Sequence, residues 1–446
     1  MRGLKSLIAL VLVAGGLGAY IYFVESKKSP GAEPAAGPKV FTVKPDAIDE
    51  ITVKSAAGDR TTLKKIGGAW QITRPVAAAA DEAEVSGIVS GLTSADITRT
   101  VDEQPTDLQQ YGLAEPRLVI DFTAGGARPQ QLQVGDKAAA SGDLYARLPG
   151  QKKVFLISGS YDAAFNRGTF DLRQKTILAF DREKVDRVTV KSKDAEVELT
   201  RAGGEWKLDR PLQAPADYGA VEGMLGRLQT AQMKSIAAQE AGDLAAYGLD
   251  EPGVSVVVGM GSSQATLVLG KTTDAGAVYA RDLSRPLIFT VDAALLQDIR
   301  KPADDLRRKD VFEFRAFSAT AVTVTRGAAT LAFEKVKGQG KDAGETWRET
   351  RPTAKEVDAS AFDTFLTKLA NQRALSFVAA DAKTRTGLDA PFMIVVARFD
   401  EGRKEERVSF GRVGSDVFAA IPGQPGAAKL DAADLDEAVK ALDAIK

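Results

Sequence analysis

Apolar and polar residues alternate in the same order three times along this chain. Each copy opens with a strand in which valine or isoleucine alternates with threonine: Ile51-Thr-Val53, Val188-Thr-Val190 and Val322-Thr-Val324. Successive side chains of a strand point to opposite faces, so each strand presents one apolar and one polar face. The pattern predicts a sheet with one buried face in every copy.

An amphipathic helix is predicted in the middle of each copy. Its N-cap is an aspartate found eleven residues after a tryptophan: Asp81, Asp217 or Asp358. The apolar residues that follow are spaced i, i+3, i+4 and i+7, which places them on one helix face that can pack on the sheet. These residues are Val85, Ile88, Val89 and Leu92, then Val221, Met224, Leu225 and Leu228, then Phe362, Phe365, Leu366 and Leu369.

Two further motifs recur with the helix. The first surrounds the three tryptophans of the chain: Gly67-Gly-Ala-Trp70-Gln-Ile-Thr-Arg74-Pro75, Gly203-Gly-Glu-Trp206-Lys-Leu-Asp-Arg210-Pro211 and Gly344-Glu-Thr-Trp347-Arg-Glu-Thr-Arg351-Pro352. The second predicts a turn: Tyr111-Gly-Leu-Ala-Glu-Pro116, Tyr247-Gly-Leu-Asp-Glu-Pro252 and Thr386-Gly-Leu-Asp-Ala-Pro391. Recurrence in a fixed order is the signature of a repeated structural unit.

Strand patterns after the turn predict an antiparallel meander. The second of its strands ends at Gly135, Gly270 or Gly411. The third contains Leu144-Tyr-Ala-Arg147, Val278-Tyr-Ala-Arg281 or Val417-Phe-Ala-Ala420. Closing helices are predicted after Asp292 and Asp431. One module therefore comprises two or three strands, a helix, a short turn helix, a meander and a closing helix.

The first 28 residues differ in character from the rest. Arg2 and Lys5 precede an uncharged stretch of nineteen residues that ends at Val24. A helix of that length is about 28 Å long, close to the ~30 Å hydrocarbon core of a bilayer. We interpret residues 1–28 as an N-terminal transmembrane signal anchor that leaves the bulk of the chain outside the cytoplasm.

A cleavable signal peptide is the alternative. Gly16 and Gly18 are small residues of the kind found before a cleavage site. Tyr20, Tyr22 and Phe23 favour the anchor, because aromatic residues gather at membrane interfaces.

A linker and three modules make up the remainder. Residues 29–39 are rich in proline, alanine and glycine and lack apolar periodicity. The repeats place the modules at residues 40–180, 181–313 and 314–446, each of ordinary domain size. The predicted fold is α+β: three tandem repeats of one antiparallel-sheet-plus-helices module, preceded by a single transmembrane helix.

Histidine and cysteine are absent from the 446 residues. Their absence removes the commonest general base, the Ser-His-Asp and Cys-His nucleophile systems and the usual zinc ligands. A pair of converging carboxylates is not recognisable either. We therefore predict a non-enzymatic protein with no cofactor and no metal site.

Charge is nearly balanced, with 59 basic and 60 acidic residues. A module that binds nucleic acid would carry a basic excess, so nucleic acid is not an expected partner. The basic cluster from Arg300 to Lys309 is interleaved with Asp304, Asp305 and Asp310. That pattern predicts a solvated junction between the second and third modules.

Ten repeated residues are candidates for binding. An arginine beside a tryptophan can hold an anion or a sugar, and a tyrosine and arginine two positions apart on a strand can line a groove. The structural alternative, which we favour, makes the tryptophans core anchors, and the arginines beside them either tie the strand to the capped helix or stack over a core aromatic ring. The tyrosines and arginines of the strand could equally form one face of a sheet. The candidates are Trp70, Arg74, Trp206, Arg210, Trp347, Arg351, Tyr145, Arg147, Tyr279 and Arg281.

Gly270-Lys271-Thr272 is similar to the end of a phosphate-binding P-loop. That motif requires glycine at position 265, where this chain has alanine. The other copies read Gly135-Asp-Lys137 and Gly411-Arg-Val413 at this site. We interpret it as a turn that ends a strand.

Together the motifs resemble the domain-of-unknown-function 4340 (DUF4340) family. The resemblance rests on the anchor, the Gly-Gly-x-Trp-x-(Ile/Leu)-x-Arg-Pro repeats, the Asp-capped helix and the Tyr-Gly-Leu-x-x-Pro turn, and it covers nearly everything after the linker. The third copy departs from it at Gly344-Glu-Thr and at Thr386. The resemblance implies a bacterial, membrane-anchored protein that accompanies ABC-type permeases and gliding-motility-type auxiliary proteins. It supplies no catalytic residues.

The resulting expectation is an accessory or scaffold protein of an ABC-type membrane transport complex. It would sit in the bacterial inner membrane as a single-pass protein, with the bulk of the chain periplasmic and a permease as partner. The alternative is an extracytoplasmic protein that binds a solute or an envelope polymer. That alternative predicts polar grooves that recur in register across the modules.

Overall fold

A computed structural model describes residues 37–337, 345–379 and 385–445. The chain divides into two compact units, Met1–Lys175 and Thr176–Lys446. The first unit contains one nine-stranded sheet and the second contains two. The predicted transmembrane helix over residues 1–28 lies outside the described residues. Within those residues, every helix is too short or too polar to cross a bilayer.

The first nine-stranded sheet belongs to the first unit. Its strands are β1 (Ile48–Lys54), β2 (Arg60–Ile66), β3 (Ala69–Arg74), β4 (Ala78–Ala79), β5 (Arg99–Asp102), β6 (Leu118–Ala124), β7 (Gln130–Lys137), β8 (Leu144–Arg147) and β9 (Val154–Ile157). The helices of the first module are α1 (Glu82–Ser94) and α2 (Tyr161–Phe165), with 3₁₀ turns at Pro45–Ala47 and Gln109–Tyr111.

The second module begins the second unit. Its strands are β10 (Arg187–Ser192), β11 (Glu196–Ala202), β12 (Glu205–Arg210), β13 (Ala214–Pro215), β14 (Ser235–Ala238), β15 (Val254–Met260), β16 (Ser263–Thr272), β17 (Val278–Asp282) and β18 (Ile288–Val291). Its helices are α3 (Tyr218–Thr230), α4 (Leu244–Tyr247), α5 (Ala293–Ile299) and α6 (Ala303–Leu306), with a 3₁₀ turn at Arg182–Lys184.

The third module completes the second unit. Its strands are β19 (Ala319–Arg326), β20 (Ala329–Lys337), β21 (Glu345–Arg351), β22 (Lys355–Glu356), β23 (Ala374–Val378), β24 (Met393–Phe399), β25 (Lys404–Val413), β26 (Asp416–Ala420) and β27 (Ala427–Leu430). Its helices are α7 (Ala359–Ala370) and α8 (Ala432–Asp443), with a 3₁₀ turn at Ala316–Ser318.

The three sheets share one strand order. In the first it is β4-β3-β2-β1-β6-β7-β8-β9-β5, and all neighbours are antiparallel. The helix after β4 carries the chain to the opposite edge, where β5 pairs with β9. The turn motif then brings β6 back to the centre beside β1. Because the other two sheets repeat this order, the predicted α+β tandem repeat is confirmed.

The predicted helix face is buried in all three modules. Asp81, Asp217 and Asp358 accept hydrogen bonds from backbone N–H groups of the first helical turn. The twelve apolar residues of the predicted faces are at most 8% exposed. Burial of each such side chain contributes about 1.5–3 kcal/mol, so this face accounts for the docking of the helix on the sheet.

Two strands of each module are not predicted by the sequence patterns. The last meander strand is buried along its whole length in the first two modules, at Val154–Ile157 and Ile288–Val291. It therefore lacks the alternation that marks a strand. The edge strand after the helix lies far from its partner in sequence. In addition, β7, β16 and β25 each continue two residues beyond the glycine that was predicted to end them.

Candidate functional site

The three tryptophans lie in the cores of their modules. Trp70, Trp206 and Trp347 are 7%, 2% and 3% exposed. The Nε1 atom of Trp206 donates to Glu222 Oε1 at 3.0 Å, and the Trp347 ring centroid lies 4.5 Å from that of Phe362. With at most 7% of each residue exposed, the three tryptophans act as core anchors.

A cation stands across the strand from each tryptophan. The three cross-strand pairs are Lys65 with Trp70, Arg201 with Trp206, and Lys335 with Trp347. Arg201 Cζ lies 5.9 Å from the Trp206 ring centroid, and Lys335 Nζ lies 5.7 Å from that of Trp347. Arg201 and Lys335 interact with the indoles in place of the arginine of the Arg-Pro pair.

The arginines of the Arg-Pro pairs are exposed at strand ends. Arg74, Arg210 and Arg351 each follow a register shift in the strand and precede a cis proline. Arg210 forms ion pairs with Glu196 at 3.8 Å and with Glu198 at 3.3 Å. It therefore ties its strand to the neighbouring strand β11, which corrects the predicted tie to the capped helix.

Arg210 also borders a cleft of about 740 Å³, which we name the Arg210 cleft. Two carboxylates already compensate the charge of Arg210, and the exposed pairs are screened by water. The cleft therefore offers a mixed surface without a dominant charge. Its lining residues are Asp194, Ala195, Glu196, Val197, Arg210, Pro211, Lys301, Pro302 and Ala303.

Tyr145 and Tyr279 pack against the tyrosine of the turn motif. The ring centroids of Tyr145 and Tyr111 are 5.1 Å apart, and those of Tyr279 and Tyr247 are 5.0 Å apart. The Tyr111 hydroxyl donates to Asp102 Oδ2 at 3.2 Å, and burial together with this carboxylate raises the pKa of Tyr111. Each pair fixes the turn on the sheet.

Arg147 and Arg281 form hydrogen bonds on the polar face of the sheet. Arg147 Nε donates to Gln133 Oε1 at 2.6 Å, the first link in a row of polar side chains that reaches Asp121. Arg281 Nε donates to the backbone carbonyl of Arg285 at 3.3 Å. The arginines thus use their donors within the module, on the face where the tyrosines pack on the turn.

The turn motif rests directly on a glycine of the meander. A Cβ atom at any of these glycines would overlap a backbone carbonyl oxygen of the turn, so only glycine allows the approach. The contacts are Gly135 with Tyr111, Gly270 with Tyr247 and Gly411 with Thr386. In the second module Lys271 Nζ also donates to the Ala245 carbonyl at 2.8 Å. The segment that is similar to a P-loop is therefore a contact between turn and strand.

A second cleft, the Tyr218 cleft, has a volume of about 540 Å³. Tyr218, at the start of α3, is 54% exposed. The cleft therefore combines charges of both signs with one accessible aromatic ring. Its lining residues are Asp181, Arg182, Glu183, Arg201, Tyr218, Glu222 and Gln229.

Glu222 organises the Tyr218 cleft. Its Oε2 accepts from Arg182 Nε at 2.9 Å and its Oε1 accepts from Trp206 Nε1 at 3.0 Å. Arg201 lies 3.9 Å from the same Oε1, and its Cζ is 6.0 Å from the Tyr218 ring centroid. Because Glu222 is engaged twice, Arg201 retains donors for an anionic or hydroxyl-rich ligand.

The Tyr218 cleft is particular to the second module. The position of Tyr218 is Glu82 in the first module and Ala359 in the third. Glu82 Oε1 accepts from the Trp70 backbone N–H at 2.7 Å, so the Glu82 side chain binds strand β3 instead of forming a cleft. The ring and guanidinium that define the cleft are therefore not repeated.

The junction between the second and third modules, residues 306–310, is built around Arg307, which is 2% exposed. Arg307 Nε donates to Gln424 Oε1 at 2.9 Å and Nη2 donates to the Pro425 carbonyl at 2.8 Å. Its Cζ lies 3.6 Å from the Phe377 ring centroid. All three partners belong to the third module.

Burial lowers the pKa of the Arg307 guanidinium, and Asp304, 3.3 Å away, partly opposes that effect. The prediction of a solvated junction is therefore wrong for this residue. Its partners follow it by 70 residues or more in the chain. A charge pattern read locally cannot show that a distant loop and ring cover the guanidinium.

Further charged contacts join the same two modules. Arg373, after the central helix of the third module, lies 3.0 Å from Asp310 and 3.7 Å from Asp217, the N-cap of α3. Gln424 Nε2 donates to the Arg308 carbonyl at 2.5 Å. The junction is thus held by both backbone and side-chain contacts.

One repeat at the junctions is not among the predicted motifs. Leu172-Arg-Gln-Lys175 and Leu306-Arg-Arg-Lys309 are one module length apart and share the pattern leucine-arginine-x-lysine. A search for self-similarity at the module period outside the tryptophan motif would have found it. In the described ranges, acidic side chains are not grouped as a metal site requires.

The strand order and the repeated motifs define a class, the tandem-repeat α+β proteins built from nine-stranded antiparallel sheets. Within it, the chain belongs to the family described as "Domain of unknown function (DUF4340)". The family profile matches residues 70–207 and 206–391, which together are more than half of the chain. Both matches begin at a tryptophan of the repeated motif, Trp70 or Trp206.

Two solved structures with weak similarity are DNA polymerase sliding clamps from Pseudomonas aeruginosa. The ligand-bound clamp is 7% identical, with 87% of this chain and 92% of that chain covered and a TM-score of 0.18. The other is 7% identical, with 86% and 91% covered and a TM-score of 0.16. Scores this low establish no common fold. A search of curated proteins found no match.

Proposed function

We propose that this protein is a non-enzymatic accessory or scaffold protein of an ABC-type membrane transport complex. It would be anchored in the bacterial inner membrane by residues 1–28, with its modules in the periplasm. The observation that carries the proposal is the use of the repeated residues. The tryptophans, helix faces and close-contact glycines pack the module and line neither the Arg210 cleft nor the Tyr218 cleft. Of the ten candidate residues, only Arg210 borders either of these two clefts.

Exposed apolar side chains on two modules that are joined to each other support this role. Because the Arg307 junction joins the second and third modules within one compact unit, modest contacts on both can add through effective concentration. Large exposed apolar side chains occur on both modules: Tyr218 and Leu283 on the second, and Phe317 and Leu375 on the third. Phe317 is 82% exposed and is of the type that anchors protein interfaces.

The proposal is tested by crosslinking in cells. A photo-crosslinking amino acid would replace Phe317 in the full-length tagged protein, and Lys207, also exposed, would serve as the matched control position. We expect a permease or ATPase component to be recovered from the position-317 protein, with far less from the position-207 protein. Mass spectrometry after detergent extraction identifies the product.

A second sample would carry a cleavable signal in place of residues 1–28. Loss of the transport component from that sample would assign a required contact to the membrane segment. Recovery of envelope polymer or small molecules alone, equally from both samples, would contradict the scaffold proposal.

The alternative function is binding of a solute or envelope polymer in the Tyr218 cleft. An accessible ring beside a guanidinium with spare donors suits a sugar polymer with acidic groups. If this is correct, Tyr218→Ala should weaken binding to purified envelope polysaccharide by about tenfold, because one stacking contact is lost. Leu283→Ala, another exposed apolar site in this module, is the control. Equal binding by both variants, measured by sedimentation, would exclude the cleft.

A further inference from the structure

One strand edge is covered in the first two modules and open in the third. In the first module the segment that follows the closing helix covers it. The Asp81 N–H donates to the Leu172 carbonyl at 2.9 Å, and the Gln174 N–H donates to the Ala79 carbonyl at 2.9 Å. Leu172 is 0% exposed. The covering segment thus adds an extended stretch of backbone beside β4 and buries a leucine.

The second module repeats this arrangement. The Asp217 N–H donates to the Leu306 carbonyl at 2.8 Å, and the Arg308 N–H donates to the Pro215 carbonyl at 2.9 Å. Leu306 is 1% exposed. The two covering segments are the two copies of the leucine-arginine-x-lysine pattern. In both modules, therefore, the same edge is covered by a segment with the leucine-arginine-x-lysine pattern.

The third module has the same edge without an occupant among the described residues. The Val357 N–H still donates inward to the Trp347 carbonyl at 3.4 Å, as the equivalent alanines do to their tryptophans. Within the described ranges, the outward Glu356 carbonyl and Asp358 N–H have no hydrogen-bond partner. These are the atoms that bind the covering segment in the other two modules.

Burial and charge agree with an open site. Ala80 and Ala216 are 5% and 7% exposed under their covering segments, whereas Val357 is only half-buried and both Glu356 and Asp358 are exposed. In the first module Lys175 Nζ lies 3.5 Å from Asp81 Oδ2, so the lysine of the pattern pairs with the N-cap aspartate. Asp358 and Glu356 offer the same sign of charge to a basic segment.

We infer that the edge formed by residues 355–358 is a docking site for an extended segment of a partner protein with the pattern leucine-arginine-x-lysine. The segment adds to the sheet as an extra strand, in the mode by which unpaired edges recruit peptides. A second copy of this chain is not the occupant, because both of its own leucine-arginine-x-lysine segments already cover its first two modules. The inference rests on the proposed scaffold function and specifies one of its contacts.

The test uses a peptide copied from this chain. An acetylated peptide of residues 305–313 with a C-terminal fluorophore is titrated with the full-length protein, and its anisotropy is measured. Saturable binding to one site per chain is expected, because the other two edges are already occupied. A peptide with Leu306→Asp loses the buried anchor. A peptide with Arg308→Pro loses the N–H that donates to the edge, and each should bind about tenfold more weakly.

Protein variants locate the site. Glu356→Lys reverses an exposed charge on the edge, and proline occupies the equivalent position in the second module, so the fold tolerates change there. We expect this variant to bind the unmodified peptide about tenfold more weakly. Glu240→Lys, the same change at an exposed site that follows the opposite edge strand of the second module, should bind like the unaltered protein.

Absence of saturable binding would overturn the docking site. Binding that is indifferent to Arg308→Pro and to Glu356→Lys would do so too, because it would be non-specific. If crosslinking recovers a transport component while the peptide does not bind, the scaffold function stands and this edge is not its contact. If the peptide binds but crosslinking recovers no transport component, the edge stands and the assignment to a transport complex fails.

Discussion

Gly270→Ala is expected to lower the free energy of unfolding by about 2 kcal/mol, because the new methyl group cannot fit beneath the turn. A Cβ atom at this position would overlap the backbone carbonyl oxygens of Tyr247 and Gly248. Backbone atoms of a turn cannot rotate away as a long side chain can. Relief would require α4 and the turn that follows it to lift from the meander.

The matched control is Gly223→Ala, the same change at an exposed site inside α3. A Cβ atom there meets nothing within 4 Å. Alanine should raise stability by about 0.5–1 kcal/mol, because glycine is a poor helix former. Urea unfolding followed by tryptophan fluorescence compares the two midpoints. Equal midpoints, or a Gly270→Ala protein as stable as the unaltered chain, would contradict the close contact.

Arg307→Ala is expected to cost about 3 kcal/mol and to loosen the second module from the third. The change leaves Gln424 Oε1 and the Pro425 carbonyl without their donor. It also removes the guanidinium that lies 3.6 Å from the Phe377 ring centroid. Buried acceptors that lose a charged donor are costly, since water does not replace it.

Arg210→Ala is the control for Arg307→Ala. The Arg210 side chain is 62% exposed, and its ion pairs with glutamates are screened by water, so about 0.5 kcal/mol or less is expected. Urea unfolding gives the stability, and limited proteolysis reports whether residues 306–310 become accessible. If the two substitutions had the same effect on both measurements, Arg307 would not hold the junction.

The function of the junction follows from its construction. The three contacts of the buried Arg307 guanidinium fix the path of the chain between the sheets of the second and third modules. A partner that bound both modules, as proposed, would meet surfaces whose spacing is already set, and less entropy would be lost on binding. The free edge at residues 355–358 lies in the module that this junction joins to the second.

Local chemistry accounts for the parts of the fold that the sequence predicts. Helix positions were predictable because i, i+3, i+4 and i+7 spacing is a property of neighbouring residues, as with Val221, Met224, Leu225 and Leu228. The aspartate caps were predictable because a cap bonds only to the first turn of its own helix. Three-fold repetition strengthened each of these assignments.

The candidate site was less predictable. The repeated tryptophans and arginines belong to the structural framework of each module. The Tyr218 cleft, in contrast, depends on residues that occur in one module only. Its guanidinium, Arg201, is unremarkable in sequence until its strand pairs it with Trp206. A side chain that acquires its role through strand pairing gives no local signal.

By itself, the sequence determined the number of modules, their central helices and caps, and the membership of the family, because each is written in short-range spacing that recurs three times. Only the tertiary structure decided the strand order, the burial of Arg307 and the open edge of the third module. Those features depend on pairing between segments that are far apart in the chain. Such pairing is set by the packing of whole elements, and periodicity within one element does not encode it.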